Sequence, residues 1–284
     1  VLANRMPRRD GGIALAHFLS KNGRILGEAT VTRISNKHFY LLSAASAELR
    51  DLDHLMQQVQ SGEQVEIRNT TEERGVIVLA GPKARDVLGG LTEASLENAN
   101  FPWRTAQQIE IAGIPTLALR INYVGELGWE LHPAMADLKA LYAAVWAAGE
   151  AHGIADFGLY AMNSLRMEKG YRGWGAELTN EVTMLEADMA RFYASAKEDF
   201  VGRAATETNE AGPLRLVYFE VEAQDADVRG GEPIFLGDTC VGVTTSGGYG
   251  YAVEKSLGFG YVPPEQAEPG SVIDIGLLDA RCRA

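Results

Sequence analysis

Two adjoining stretches near the start of the chain, ILGEATVTRI (25–34), polar and apolar by turns from Glu28 to Thr32, and HFYLLSA (38–44), an apolar and aromatic run, read as neighbouring strands. The period then changes. SAELRDLDHLMQQVQ (46–60) repeats apolar residues at steps of three and four, which predicts a helix burying Leu49, Leu52, Leu55, Met56 and Val59. GVIVLAGP (75–82) reads as a buried strand turning at Gly81-Pro82 into a helix, KARDVLGGL. QIEIAGIPTLALRINY (108–123) reads as a hairpin turning at Ala112-Gly113. Two further helices are expected. AMADLKALYAAVWAAGEAHG (134–153) turns Leu138, Leu141, Tyr142 and Val145 inward and stops at Gly153, and FGLYAMNSLRMEKG (157–170) stops at Gly170. From about residue 200 the texture is different: EDFVGRAATETNEAGP (198–213) is polar and small, and short strand-like runs between Gly and Pro turns follow it. That succession predicts a small all-β barrel or sandwich after a boundary near 200–212.

One stretch carries candidate chemistry. INYVGELGWEL (121–131) is a strand-like run broken by glycines, and it resumes with a carboxylate, Glu130, between Trp129 and Leu131. The pattern predicts a β-hairpin with Gly125 and Gly128 in the turn. Glu130 then either points to solvent or faces Tyr123 across the hairpin, bringing an aromatic face and a carboxylate into one pocket. A carboxylate accepts two parallel N–H bonds, so the second arrangement suits an amino-amidine edge such as that of a pterin.

Composition narrows the classes. The 284 residues give room for one large domain or two ordinary ones, and 46% hydrophobic with 23% charged residues is ordinary globular usage. A formal charge of −12 argues against nucleic acid or an anionic membrane as partner, and no apolar run approaches the ~20 residues of a membrane span. Cys240 and Cys282 lack metal-ligand spacing, and the five histidines, His17, His38, His54, His132 and His152, are scattered and read as surface or structural residues. There is no dinucleotide fingerprint and no nucleophile elbow. YGYAVEKS (249–256) has Tyr249 and Glu254 where a phosphate loop needs glycines. The opening VLANRMPRRDGG reads like the interior of a longer polypeptide, so a processed or excised chain is expected.

Taken together and in order, YVGELGWEL (123–131), SLRMEKGYRGWGAELT (164–179) and GVTTSGGYGYAVEKSLGFGYVPPE (242–265) resemble the glycine cleavage T-protein (aminomethyltransferase) family. LRMEKGYRGWGAE and TTSGGYGYAVEKSL are most similar to the C-terminal, tetrahydrofolate-binding half of dimethylglycine and sarcosine dehydrogenases. The resemblance implies an α+β class: an aminomethyltransferase folate-binding fold of mixed α/β sheets with helices over residues 1–205, lacking the family's opening segment, then a C-terminal β-barrel over 206–284. It implies tetrahydrofolate as cofactor, with FAD only on a separate or missing N-terminal domain.

The same resemblance assigns site residues. The pterin-recognising glutamate of the family's Y-x-G-E-x-G-x-E motif falls on Glu130 and its tyrosine on Tyr123. The carboxylate beside the folate amines falls on Glu28, one methylene longer than the usual Asp, while the Asp before it is replaced by Gly27. Arg166, Trp174, Tyr249 and Tyr251 are further cofactor-binding candidates. Arg166 has a local ion pair with Glu168 as its other reading, Trp174 has packing of the helix exit, and the two tyrosines have turn packing.

The implied function is formation of 5,10-methylenetetrahydrofolate from the iminium or formaldehyde product of N-methyl amino acid oxidation. The implied partners are folate, a one-carbon donor and a flavoprotein dehydrogenase domain or subunit. The location is cytoplasmic in a bacterium and the mitochondrial matrix in a eukaryote. A stand-alone aminomethyltransferase of glycine cleavage is the first alternative, and Met162 counts against it because it stands where T-proteins carry an arginine. A non-catalytic folate-binding module would carry a cysteine that KGYRGWGAE lacks. A tetrahydrofolate-dependent demethylase moving a whole methyl group is the third.

Overall fold

The computed structural model describes residues 1–208 and 212–284; residues 209–211 of the expected linker lie outside the described residues. The first sheet is built on a hairpin. Strand β1 (Ile13–Leu19) turns through Ser20–Arg24 into β2 (Ile25–Ser35), and β3 (His38–Ser43) pairs with the other edge of β2. The register sets Ile13 opposite Thr32, Leu15 opposite Thr30 and His17 opposite Glu28, while Thr32 and Thr30 also face Tyr40 and Leu42 on β3. Because side chains alternate across a sheet, all of these share one face. The opposite face offers Ala16, Phe18, Ala29 and Val31, which pack with Leu2 and Leu55.

Helix α1 (Glu48–Gln57) covers that opposite face, rotated from the expected orientation. Leu49, Met56 and Val59 are exposed rather than buried, Leu52 is half-buried, and Asp51 is buried instead. Gly27 supplies the reason. A Cβ there would come within 2.9 Å of Arg50 Nη2 and 3.3 Å of Asp51 Oδ1, so the missing side chain leaves room for the Arg50–Asp51 pair to lie on the sheet. The helix therefore seats the pair, and its apolar stripe turns partly outward.

The second sheet has order β4-β7-β6-β5: β4 (Ile77–Ala80), then helix α2 (Ala84–Gly89), β5 (Ala106–Ile111), β6 (Ile114–Leu119) and β7 (Gly128–Pro133). The β5–β6 turn falls at Ala112-Gly113, with φ of 50° and 78°, the two left-handed residues that a two-residue hairpin turn requires. The expected hairpin at 121–131 does not form. Glu130 pairs with Leu119 of β6, and residues 120–127, Tyr123 among them, make a wide loop outside any strand. Asn122 organises that loop, its Oδ1 accepting from Val124 N (3.0 Å) and its Nδ2 donating to the Glu126 carbonyl (2.8 Å). A side chain that closes its own turn in this way competes with the ladder, which is why the strand stops here.

Trp129 and Leu131 point into a core shared with α2 and with Leu141 and Val145 of helix α3 (Leu138–Gly149). Tyr142, expected in that core, is exposed; its hydroxyl donates to Asp156 and its ring stacks on Trp146. Gly153 after α3 and Gly170 after helix α4 (Leu159–Glu168) take the left-handed conformation that ends these helices. The polar stretch after 198 is not all linker: Phe200 is buried and helix α5 (Arg203–Thr208) follows it.

The remaining strands, β8 (Arg215–Val221), β9 (Pro233–Leu236), β10 (Thr239–Gly250), β11 (Lys255–Val262), β12 (Asp274–Leu277) and β13 (Ala280–Arg283), form one antiparallel sheet of order β13-β12-β9-β10-β11-β8. Glu222, next after β8, donates its N–H to the Arg283 carbonyl at 2.8 Å. That bond joins the two outer strands and curls the sheet into a barrel around Val221, Val228, Ile234, Val262 and Ile275.

Candidate functional site

The inner face of the first sheet meets the inner face of the second. Ile13, Tyr40 and Leu42 from one pack with Ala106, Leu117 and Leu119 from the other. Each face carries one glutamate beside one fully buried histidine. On the first sheet His17 Nε2 lies 3.2 Å from Glu28 Oε2, and on the second His132 Nε2 lies 3.5 Å from Glu130 Oε2. Both carboxylates keep 19% of their side-chain surface open. Alternation along β7 explains the second pair: with Trp129 and Leu131 committed to the core behind the sheet, Glu130 and His132 must face the space between the sheets.

The two pairs differ in their outer contacts. The His17 ring has the Asn4 amide at Nδ1, whereas His132 has the Tyr40 hydroxyl 3.3 Å from its Nδ1 and no hydrogen bond at Nε2. The 3.5 Å approach of Glu130 to that nitrogen falls outside hydrogen-bond geometry, so we treat Nε2 as unpartnered. Thr32 Oγ1, buried on the opposing face, has no partner either. Burial raises the Tyr40 phenol above its ordinary range, with Arg74 opposing and Glu130 adding. A cavity of about 250 Å³ opens at this end, lined by Ile34, Tyr40, Arg74, Ala106, Gln108 and Leu117 among others.

Tyr123 comes from the 120–127 loop rather than from a strand, and its contacts are with the 171–173 segment rather than with Glu130. Its hydroxyl donates to the Arg172 carbonyl at 2.9 Å and its ring stacks on Tyr171 at 6.2 Å. Burial pushes its phenol up to about 12, against the opposing charge of Arg166 and with Glu177 and Glu28 adding. A Cβ on Gly173 would stand 3.0 Å from that hydroxyl, so the glycine admits the ring.

The other candidates stand elsewhere. Arg166 is buried and spoken for: Nε donates to Asn163 Oδ1 (3.0 Å), Nη1 to the Tyr171 carbonyl (2.8 Å) and to Glu177 Oε2 (2.9 Å), and Nη2 to Ser246 Oγ (2.8 Å). Its ion-pair partner is therefore Glu177, not the expected Glu168, which instead accepts from Ala252 N–H at 2.8 Å. Trp174 packs beside a core cluster of Leu178, Met184 and Met189, with the Arg50 guanidinium 4.7 Å above its ring. Tyr249 is the last residue but one of β10 and Tyr251 lies just past its end, edge to face at 5.1 Å, with Tyr251 largely in solvent. From the sequence His17 and His132 read as surface or structural residues, and Asn4 carries no signal there. For His17 a signal existed, since a hairpin turning at Ser20–Arg24 sets residue 17 opposite residue 28.

Two facing sheets, each with a glutamate beside a buried histidine, followed by an antiparallel barrel, define an aminomethyltransferase-type fold. The chain belongs to the glycine cleavage T-protein family: residues 1–197 match its GCVT N-terminal domain and residues 215–284 its glycine cleavage T-protein C-terminal barrel domain. Mitochondrial dimethylglycine dehydrogenase of Homo sapiens is 40% identical over 282 residues, 98% of this chain and 32% of that protein. Mitochondrial sarcosine dehydrogenase of Homo sapiens is 32% identical over 93% of this chain and 31% of its own length, and an aminomethyltransferase of Listeria welshimeri is 30% identical over 93% and 72%. The chain thus spans about a third of the dehydrogenases it matches. In structure it superposes on the glycine cleavage system aminomethyltransferase T of Bartonella henselae with a TM-score of 0.84, covering 97% of this chain and 74% of that one at 23% identity, a likeness of fold. Among the described residues no helix is long and apolar enough to cross a membrane.

Proposed function

We propose that this chain binds tetrahydrofolate between its first two sheets and loads it with the one-carbon unit released when a flavoprotein partner oxidises an N-methyl amino acid, dimethylglycine or sarcosine. The observation that carries the reading is the pair of partly open carboxylates, Glu28 and Glu130, on facing inner surfaces. When bound, tetrahydrofolate supplies two amine nitrogens that hold the carbon as 5,10-methylenetetrahydrofolate. The residues present fit such a ligand. Glu130 accepts from an amino-amidine edge, and the unpartnered Thr32 Oγ1 and His132 Nε2 on the same inner faces offer further hydrogen-bonding positions. Tyr123 covers a flat face with a phenol that stays protonated across the physiological range. Glu28 steadies positive charge developing beside it and takes the proton that the second folate nitrogen gives up as its carbon–nitrogen bond closes, the carbon having parted from the amino acid's nitrogen, which leaves as an amine, or from the formaldehyde oxygen, which leaves as water.

Most of the gain comes from holding two nucleophilic nitrogens against one carbon, so binding and orientation dominate. In this reading residues 1–205 form the folate-binding part and 206–284 the barrel that closes against it. The flavin belongs to a separate or further domain, and the protein works in the mitochondrial matrix of a eukaryote or the cytoplasm of a bacterium. Arg166 and Trp174 support the pocket from behind, and Tyr249 and Tyr251 stand at its approach.

Calorimetric titration with tetrahydrofolate under reducing, oxygen-free conditions tests the proposal. Folded Glu130→Gln should lose roughly 1.5 to 3 kcal/mol of binding, the value of a hydrogen bond to a charged group. A folded wild-type chain that does not bind sinks the reading. Product analysis after supplying the one-carbon donor separates 5,10-methylene from 5-methyl-tetrahydrofolate, the product of a demethylase.

A further inference from the structure

His17 is a fully buried ionisable group for which the proposed chemistry gives no role. Its surroundings are nonetheless specific. The N-terminal segment lies along β1: Ala3 N donates to the His17 carbonyl at 3.0 Å, Ala194 N donates to the Ala3 carbonyl at 3.0 Å, and Lys197 Nζ donates to the Leu2 carbonyl at 2.6 Å. This double anchoring delivers the Asn4 side chain, itself buried, to the His17 ring. The Phe192 ring tilts against the imidazole at 5.9 Å, with the Arg191 guanidinium 4.9 Å from that phenyl ring, and Glu28 stands on the Nε2 side.

The Asn4 amide decides which ring nitrogen carries the proton. Its Oδ1 accepts from the His17 backbone N–H at 2.7 Å, the shortest of its contacts, and that bond fixes the plane of the amide. Nδ2, 3.3 Å from Nδ1, then has an N–H to offer the ring. Oδ1 stands equally far from Nδ1 but is already committed to the backbone. An Nδ1 that accepts must leave the proton of a neutral imidazole on Nε2, and Nε2 faces Glu28 Oε2 at 3.2 Å.

We propose that the Asn4–His17 couple is a positioning device for Glu28. Asn4 selects the Nε2–H tautomer, and His17 holds Oε2 with that N–H, leaving Oε1 free for a cationic or N–H-bearing ligand. His17 transfers no proton in this scheme and touches no substrate. It acts through Glu28, converting a carboxylate on a strand into an acceptor of fixed direction. The contrast with the second sheet supports this: His132 sits beside Glu130 with its Nε2 unpartnered, so only Glu28 is held. That the ligand is folate rests on the function proposed above; the tautomer and its control of Glu28 do not.

Two measurements separate those claims. Long-range proton–nitrogen NMR of the imidazoles, with His17 assigned by its disappearance in His17→Gln, should find His17 in the Nε2–H form. The form should be lost in Asn4→Leu, which removes the selecting amide. An Nδ1–H tautomer in the wild type, or one unchanged in folded Asn4→Leu, overturns the proposal. In tetrahydrofolate calorimetry His17→Gln, which keeps an N–H near the Nε2 position, should stay within about threefold of wild type, and His17→Leu should lose about tenfold. Equal losses in two folded variants mean a packing role only and overturn the positioning claim. A wild-type chain that shows the tautomer and binds no folate sinks the folate reading and leaves the positioning device standing.

Discussion

Glu177 is a fully buried carboxylate at the junction between α4, the 170–178 segment and the barrel, and its removal leaves a buried countercharge unpaired. It accepts from Arg166 Nη1 (2.9 Å), Gly173 N (2.8 Å) and Thr245 Oγ1 (2.8 Å), and also from Ser246 Oγ. Its backbone carbonyl takes the Tyr261 hydroxyl at 2.7 Å. Glu177→Leu strands the Arg166 guanidinium, 6% exposed, without its countercharge, and breaking one side of a buried pair costs about 3 to 5 kcal/mol. At about 2.1 cal/mol/K of unfolding entropy per residue, a chain of 284 residues loses roughly 1.7 °C of Tm per kcal/mol, so a fall of about 5 to 8 °C is expected. The double variant Arg166→Met/Glu177→Leu should recover at least half of the loss, because it removes the stranded charge along with its partner. Urea unfolding followed by tryptophan fluorescence and circular dichroism reads both. A single-variant loss under 1 kcal/mol, or a double variant that simply sums the two singles, would refute the claim that this pair staples the barrel to the rest of the fold.

The Tyr123 phenol, held up to about 12 by burial, stays protonated in the folded state where the unfolded chain has released its proton. Its contribution is therefore complete below about pH 10 and is lost as pH rises from there towards 12, at about 1.4 kcal/mol per pH unit. Tyr123→Phe should flatten that part of the alkaline stability curve, and an unchanged slope contradicts the assignment. Gly128→Ala places a Cβ 2.4 Å from the Leu79 carbonyl oxygen, where neither backbone can yield without disturbing the β4–β7 register. It should cost at least about 2 kcal/mol by denaturant titration and weaken folate binding through displaced Glu130. Leu49→Lys and Met56→Lys, on the outward side of α1, should each change stability by less than about 0.5 kcal/mol, and a loss above 2 would restore the inward face expected from their spacing.

What the sequence made legible follows from the range of the forces involved. Local punctuation was readable. Ala112-Gly113, Gly153 and Gly170 mark a turn and two helix ends, and the structure has left-handed backbone at all four residues. The strand-like runs became β2 to β6 and, after the boundary, β8 to β12. Orientation was less readable, because it depends on what the other partner leaves open. The spacing of Leu49, Leu52, Leu55, Met56 and Val59 describes a helix correctly, yet a missing side chain at Gly27 on another element decided which stripe went in. Tyr142 likewise faces outward because Asp156, after the helix, offers its hydroxyl an acceptor.

The candidate site divides along the same line. Glu28 comes from the family resemblance and Glu130 from the broken strand pattern and that resemblance; strand alternation accounts for the sheet face each takes, and the packing of one sheet on the other makes those faces inner ones. Tyr123 was expected opposite Glu130 because glycines between strand-like runs usually mark a hairpin; Asn122 closes a local turn instead, and a wide loop brings the ring in from the side. Arg166 lies two residues from its nearest acidic neighbour in sequence, Glu168, a spacing that sets the two on different sides of the helix, and its countercharge comes from Glu177, beyond the helix end. The histidine pairs show where the limit lies. A cross-strand contact between residues 17 and 28 follows from the hairpin alone, whereas the approach of Asn4 depends on a segment anchored by Ala194 and Lys197, nearly 200 positions away. On the positioning proposed above, strand register supplies both carboxylates, and contacts from residues distant in sequence direct one of them, Glu28. A variant at Lys197, remote in sequence and touching no ligand, should therefore disturb Glu28 before it disturbs Glu130.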